Sequence, residues 1–262
     1  MENNFINRLK SMLKVDFKRI FTMRFFYIML GISFVAPILI LVMTEMMDGT
    51  VNVNPQTGEE TVIEGFDSVW QIISSPSSAS ATMNMDLISM CNVNMFYFAI
   101  AVLVCVFVSD DFRSGYAKNL FTVRAKKNDY VISKSIVTFI GGTLMLIAFF
   151  IGAILGGLFS NVSFDLMGVS VSNVIMCMLT KIFIVGIFIP IFLVMSIVGK
   201  QKLWLSLVCS LGVSMLLFTM VPMISPLDAT FINVLLSGVG AILFSIGIGF
   251  ISNYLLKKRN IL

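Results

Sequence analysis

Two places in this sequence put ionisable side chains where they could do chemistry. The stretch SDDFRSGYAKNLFTVRAKKNDYVISK, residues 109–134, carries nine charges in 26 residues. It mixes Asp110, Asp111 and Asp129 with Arg113, Lys118, Arg124, Lys126, Lys127 and Lys134. Lys181 stands alone, the one charge in the 34 residues between Asp165 and Lys200. Most catalytic chemistry is excluded. The chain has no His, so it holds no Ser–His triad, no HExxH zinc site and no histidine proton relay. Cys91, Cys105, Cys177 and Cys209 lie inside apolar runs, too far apart for a CxxC site, and read as free thiols packing like small hydrophobes. The Gly199-Lys200 pair is followed by Gln201 and lacks the earlier glycine and the Ser/Thr of a phosphate-binding loop. A Ser–Lys dyad built on Lys181 is what remains for an intramembrane enzyme, with Asp110 and Asp111 at the membrane edge.

The elements that must position these residues follow from composition. Of 262 residues, 12% are charged and 58% hydrophobic, where a soluble domain has about a quarter charged. Lipid is the implied solvent. Crossing the hydrocarbon core takes roughly 20 apolar residues, and only a helix satisfies its own backbone there. Uncharged or nearly uncharged runs predict six spans, at 25–44, 87–109, 135–160, 173–198, 203–221 and 231–256. The expected fold is an all-α integral membrane protein that fills 1–262 as a single domain.

Orientation follows from the bases. With six spans, 17 of the 18 Lys and Arg fall on one face, and Lys181 is the eighteenth. The opposite loops hold nine acids and no base. Both termini are therefore expected in the cytoplasm of a multi-pass plasma-membrane protein. The first apolar run follows a long basic segment with no small-residue cleavage site, so it reads as an anchor and not as a cleaved signal. Residues 1–24 precede it. Ile6, Leu9, Leu13, Phe17 and Ile20 recur at helical spacing with Lys10, Lys14, Lys18 and Arg19 mostly off that stripe, which predicts a basic amphipathic helix at the inner leaflet.

The 110–134 stretch then reads as more than a turn. Asp110 and Asp111 follow span two, where acid would favour the start of a further helix. Gly115 permits a sharp change of direction. Tyr116, Leu120 and Val123 at i, i+4 and i+7 give a short helix an apolar edge, a shape suited to docking. The 45–86 loop holds seven acids and no base, which reads as solvation or as an anionic outer vestibule; Phe66 and Trp70 suggest an interfacial helix within it. Lys181, costing around 3 kcal/mol at mid-membrane, either snorkels outward or faces a pathway. Pro37 and Pro190 fall mid-span and are expected to kink spans one and four, and Gly152 with Gly156 makes a GxxxG close-packing face. Gly238, Gly240, Gly247 and Gly249 offer span six a close contact or a bend.

The order of acid after span two, Gly, a small helix ending in Asn-Leu, a basic patch and a Lys opening span three resembles the ABC-2 family of ABC-exporter membrane subunits. The matching residues are Asp111, Gly115, Asn119, Leu120 and Lys134; Tyr116, Phe121, Ser133 and the Asp itself depart from the usual Thr, Leu, Gly and Glu. The resemblance implies a coupling helix seated in a cytosolic ABC ATPase, with Asp110, Asp111, Phe112, Arg113, Gly115, Tyr116, Lys118, Asn119, Leu120 and Phe121 at the interface. It further implies no cofactor in this chain, with ATP and Mg held by the partner, and a second copy or close relative beside it. The function expected is export of amphipathic or hydrophobic peptides, toxin or antimicrobial, with Lys181 a possible pathway residue. Export of small drugs, lipid or polysaccharide is the alternative within the class. A non-transporting receptor or scaffold is the alternative outside it.

Overall fold

A backbone surrounded by lipid finds no water for its N–H and C=O groups, so apolar runs of this length close their hydrogen bonds as helices. The computed structural model describes residues 5–53, 60–62, 65–75, 92–123, 126–199, 202–218 and 221–258. Cys91, Glu59, Glu64, Asp86, Arg124, Lys200 and Arg259, most of the 74–82 serine run and residues 87–91 lie outside the described residues. Five helices are long and apolar enough to cross a membrane, which makes this a multi-pass, all-α membrane architecture.

In chain order, α1 spans Phe5–Thr22 and α2 Arg24–Met47. Two short strands, β1 Val51–Val53 and β2 Glu60–Val62, form an antiparallel ribbon with Asn52 opposite Thr61. Then come α3 Phe96–Arg113, α4 Tyr116–Val123, α5 Lys127–Ser160 and α6 Val171–Gly199. The chain continues through α7 Leu203–Phe218, the single turn α8 Val221–Ile224, and α9 Phe231–Lys258.

The helix ends depart from the apolar runs where polar groups find partners. Span two is described from Asn92 onward. Asn92 accepts a hydrogen bond from the Asn94 backbone at 2.9 Å, starting a 3-10 turn at Val93–Met95, and α3 then continues past 109 to Arg113. Span three starts eight residues before 135, and its 34 residues measure about 51 Å at 1.5 Å per residue, well beyond the roughly 30 Å of hydrocarbon. The fifth apolar run holds α7, 16 residues or about 24 Å, and the turn α8, with residues 219–220 outside the described residues. The ribbon in the first large loop was not foreseen from sequence. There, Val69–Ile72 forms a 3-10 turn in place of an interfacial helix.

The core is built on α3, which packs against α5, α6 and α7. Its Ile100, Leu103, Val104, Phe107 and Val108 are buried. A seam of small polar residues joins three helices: Cys105 donates to Ser210 at 3.1 Å, Ser196 to Cys105 at 3.5 Å and Ser109 to Ser206 at 3.5 Å. Cys105 is thus a hydrogen-bonding packer, not merely a hydrophobe. Helices α2 and α9 lie outermost; 28% and 17% of their most apolar windows are buried, against 67% for the span containing α3. The exposed aliphatic side chains on those two helices, Ile32 and Leu39 on α2 and Ile242 and Ile246 on α9 among them, face where lipid belongs.

Helix α2 approaches α5 at the GxxxG pair. A Cβ on Gly152 would lie 2.2 Å from the Phe34 carbonyl oxygen and 2.8 Å from Pro37 Cγ, and one on Gly156 would lie 2.9 Å from Ile38 Cα. The proline of span one and the glycines of span three therefore meet, with α2 continuous through Pro37. The span-six glycines behave differently. A Cβ on Gly247 or Gly249 would meet nothing within 4 Å.

The residues 66–75 close the acidic end of the bundle. Val69, Ile72 and Ile73 are wholly buried. Val69 N–H donates to the Ser163 carbonyl at 3.0 Å, Ser68 Oγ to Asp165 O at 2.6 Å, Ser74 Oγ to Ser225 O at 2.7 Å, and Leu227 N–H to Ser75 O at 2.9 Å. This segment is a cap tied to two other loops.

Gly152→Ala must push the Phe34 backbone aside, and overpacking of this kind costs about 1–3 kcal/mol. A lower melting temperature in detergent is expected for Gly152→Ala, with Gly247→Ala unchanged as the control; equal melting of the two variants would contradict the close approach.

Candidate functional site

At the basic end, α1 brings an acid into its own apolar face. Met12, Asp16 and Ile20 follow one another at i+4 and all three are buried. The stripe of α1 packs on α5, so the bundle itself covers much of the face expected to meet lipid. Lys10, Lys14 and Lys18 remain exposed on the other side.

Asp16 meets Lys134 at 2.8 Å, and Lys134 also meets Asp111 at 2.7 Å. All three are at 0% exposure. Arg19, half-buried, lies 2.5 Å from Asp111 and 3.7 Å from Asp110. Tyr130 donates its hydroxyl to Asp111 at 2.9 Å and Ser133 donates to Asp16 at 2.6 Å. The cations also rest on aromatic faces, Lys134 Nζ 4.0 Å from the Phe107 ring centre and Arg19 Cζ 4.1 Å from that of Tyr116. A second pair, Arg8 with Asp129 at 3.0 Å, ties the start of α1 to the start of α5.

The buried charges of Asp16, Arg19, Asp111 and Lys134 sum to zero. Burial opposes the Arg19 charge, and Asp111 more than offsets it, so its pKa rises further. Burial, then the nearby Asp16, pushes the Tyr116 phenol upward as well. Tyr116 therefore remains a neutral platform for the guanidinium. Such a cluster is weak evidence of net stability but strong evidence of register, because any slip leaves a buried charge unpaired.

The cluster fixes α4. Asp110 and Asp111 sit in the last turn of α3, not ahead of a new helix, and the unfavourable position of acid at a helix C-terminus is offset by Arg19 and Lys134. Gly115, at φ +74°, turns the chain in the left-handed region that other residues avoid. Of the residues expected at a partner interface, Asp111 and Phe112 are buried. Leu120 and Phe121 pack partly against the core, and the Phe121 ring lies 5.4 Å from that of Tyr130. The ring of Tyr116 lies under Arg19. Tyr116, Leu120 and Phe121 of α4 thus face the bundle. Asp110, Arg113, Lys118 and Asn119 are exposed and form the outward ridge.

Lys181 lies toward the other end, at 0% exposure. It does not snorkel. Its ammonium donates to Asn94 Oδ1 at 2.7 Å, and Tyr97 donates to its carbonyl at 3.0 Å. Elsewhere, an apolar cleft of about 1010 Å³ runs between α5, α6 and α9, lined by Phe139, Phe183, Pro190, Val234, Ile242 and Ile246 among others. Its walls suit hydrocarbon and offer little to an ion. Among the described residues no three His, Cys, Asp or Glu side chains gather to hold a metal ion.

Sequence reasoning missed Asp16 as a site residue. The signal was an acid at i+4 from Met12 and i−4 from Ile20, inside a stripe otherwise apolar. Compared with family models, curated proteins and solved structures, the chain matches none.

Lys134→Met removes the cation paired with Asp16 among the described residues, while Asp111 keeps Arg19, and removing one partner of a buried pair costs about 3–5 kcal/mol. Asp16→Asn should cost less, since Lys134 keeps Asp111. A thermal melt of the two variants that ranked them the other way would contradict the arrangement.

Proposed function

We propose that this chain is the membrane subunit of an ABC-2-type exporter, driven by a separate cytosolic ABC ATPase. The observation that carries this reading is α4, a short helix between the second and third long helices, held at the basic end by the Asp16–Arg19–Asp111–Lys134 cluster. A helix so placed can transmit force. Moving it must also move α1 and α5, because the charges cannot part without being desolvated alone.

In this reading α7 and α8 together make the fifth of six spans, since α7 alone falls short of the hydrocarbon thickness. Both termini then lie in the cytoplasm of a plasma membrane, where the basic ends belong. The docking surface is the exposed ridge of Asp110, Arg113, Lys118 and Asn119. Asp111, Phe112, Tyr116, Leu120 and Phe121 support that ridge from behind. ATP and Mg are bound by the partner, and a second membrane subunit, identical or related, stands beside this one. The cargo is amphipathic or hydrophobic, a peptide toxin or antimicrobial peptide. The apolar cleft between α5, α6 and α9 supports a greasy cargo, because it offers a hydrocarbon chain contact along three helices.

Charge reversal on the ridge tests this. Lys118→Glu should lower co-purifying ATPase activity by about tenfold or more, equivalent to 1.4 kcal/mol of lost association, with an unchanged melting temperature. ATPase activity that is absent from native-membrane preparations of the chain, or indifferent to Lys118→Glu, would contradict the proposal.

A further inference from the structure

Lys134 and Lys181 can be compared directly, since both side chains are at 0% exposure. Lys134 has carboxylates at 2.7 and 2.8 Å and an aromatic face at 4.0 Å. Lys181 has one neutral acceptor, Asn94 Oδ1 at 2.7 Å, and among the described residues no carboxylate within 4.0 Å. An ammonium carries three donors. A buried charge with a single amide partner lacks its counter-charge.

Asn94 adds a second unmet donor. It is 1% exposed, and its Nδ2 has no acceptor among the described residues. Turning the amide over would aim N–H groups at the ammonium, so the charge of Lys181 fixes Oδ1 toward itself. The amide oxygen and nitrogen share one carbon, which keeps Nδ2 within roughly 5 Å of Lys181 Nζ. Among the described residues, two sets of unmet donors thus lie side by side, one of them positive. Their complement is an acceptor with two oxygens and a negative charge.

The surroundings are apolar on the membrane side. Tyr97 stacks on Phe188 at 4.9 Å, and Ile184, Phe188 and Tyr97 are buried. On the outer side stands the cap. Cys177, one turn from Lys181, donates to Ser225 O at 3.6 Å, and that same carbonyl receives Ser74 Oγ at 2.7 Å.

We propose that Lys181 and Asn94 form an oxyanion site beneath the cap for the carboxylate of an amphiphile. One carboxylate oxygen takes a hydrogen bond from Nζ and the other from Nδ2, and the ligand's hydrocarbon lies on the apolar side. Admission requires the Ser74–Ser225 and Cys177–Ser225 contacts to part. The site deepens the exporter reading by giving the cargo an anionic handle, yet it is tested on this chain alone. Failure here leaves the ATPase test untouched.

The probe is dodecanoate, added to the purified full chain in dodecyl maltoside, with methyl dodecanoate as the uncharged counterpart. Dodecanoate should raise the melting temperature saturably and methyl dodecanoate should not. Lys181→Met should weaken dodecanoate binding about tenfold or more, as expected when a buried charge-assisted contact is lost, and Lys181→Arg should retain much of it. Asn94→Asp guards against misfolding of Lys181→Met. It places a carboxylate permanently beside Lys181, so it should melt above the parent protein and no longer respond to dodecanoate. Asp86, outside the described residues, is checked by Asp86→Asn, which should leave the dodecanoate response intact. Equal responses of the parent and Lys181→Met, an equal response to methyl dodecanoate, a dodecanoate-responsive Asn94→Asp, or a response strengthened or lost in Asp86→Asn would each overturn the proposal.

Discussion

Lys134 carries its charge between Asp16 and Asp111, with no exposed surface on any of the three. In that environment an ion without its partner costs several kcal/mol, so three segments distant in sequence are held to one arrangement. The first is a helix that lies before any span, the second is the C-terminal end of α3, and the third is the polar opening of α5. Arg19 and Tyr130 complete the same cluster. The direction of α4, which leaves α3 at Gly115, follows from this fixed point. The first turns of α5 are held by the same cluster together with the Arg8–Asp129 pair.

The two ends of the bundle are closed by different physics. At the basic end the closure is ionic, specific in register and intolerant of substitution. At the acidic end it is a strip of apolar side chains in which backbone carbonyls accept from Ser68, Val69 and Ser74. Hydrogen bonds of this kind contribute about 1 kcal/mol each and can be exchanged for water one at a time. The first design suits a part that must move as a unit, and the second suits a part that opens.

Much of the fold was legible because the bilayer imposes length and polarity so strictly. The long helices follow the uncharged runs, and the Gly152–Gly156 pair reads as a packing feature; Pro37 reads as a kink, and nothing in the sequence pairs it with those glycines. Helix ends were less legible. Asp110 and Asp111 look like the start of something new, but in the structure they end α3, since their partners come from residues 19 and 134. The interface residues divided in the same way. Spacing put Tyr116 and Leu120 on one edge correctly, but which way that edge turned depended on Arg19 and on Tyr130. Asp16 was hidden because periodicity was judged on apolar residues alone. Lys181 stood out as the lone charge of its run, while its acceptor Asn94 carries no charge and no motif.

The cluster also orders events in time. Asp16 and Lys134 are 118 positions apart, so a ribosome working at 5–20 residues per second makes the acid roughly 6–24 s before the base. Throughout that interval the first helix has nowhere to bury its carboxylate, and water or lipid headgroups must keep it solvated at the surface. Only when the third long helix inserts does α1 gain its seat, so α1 settles after two helices that are synthesised later than it.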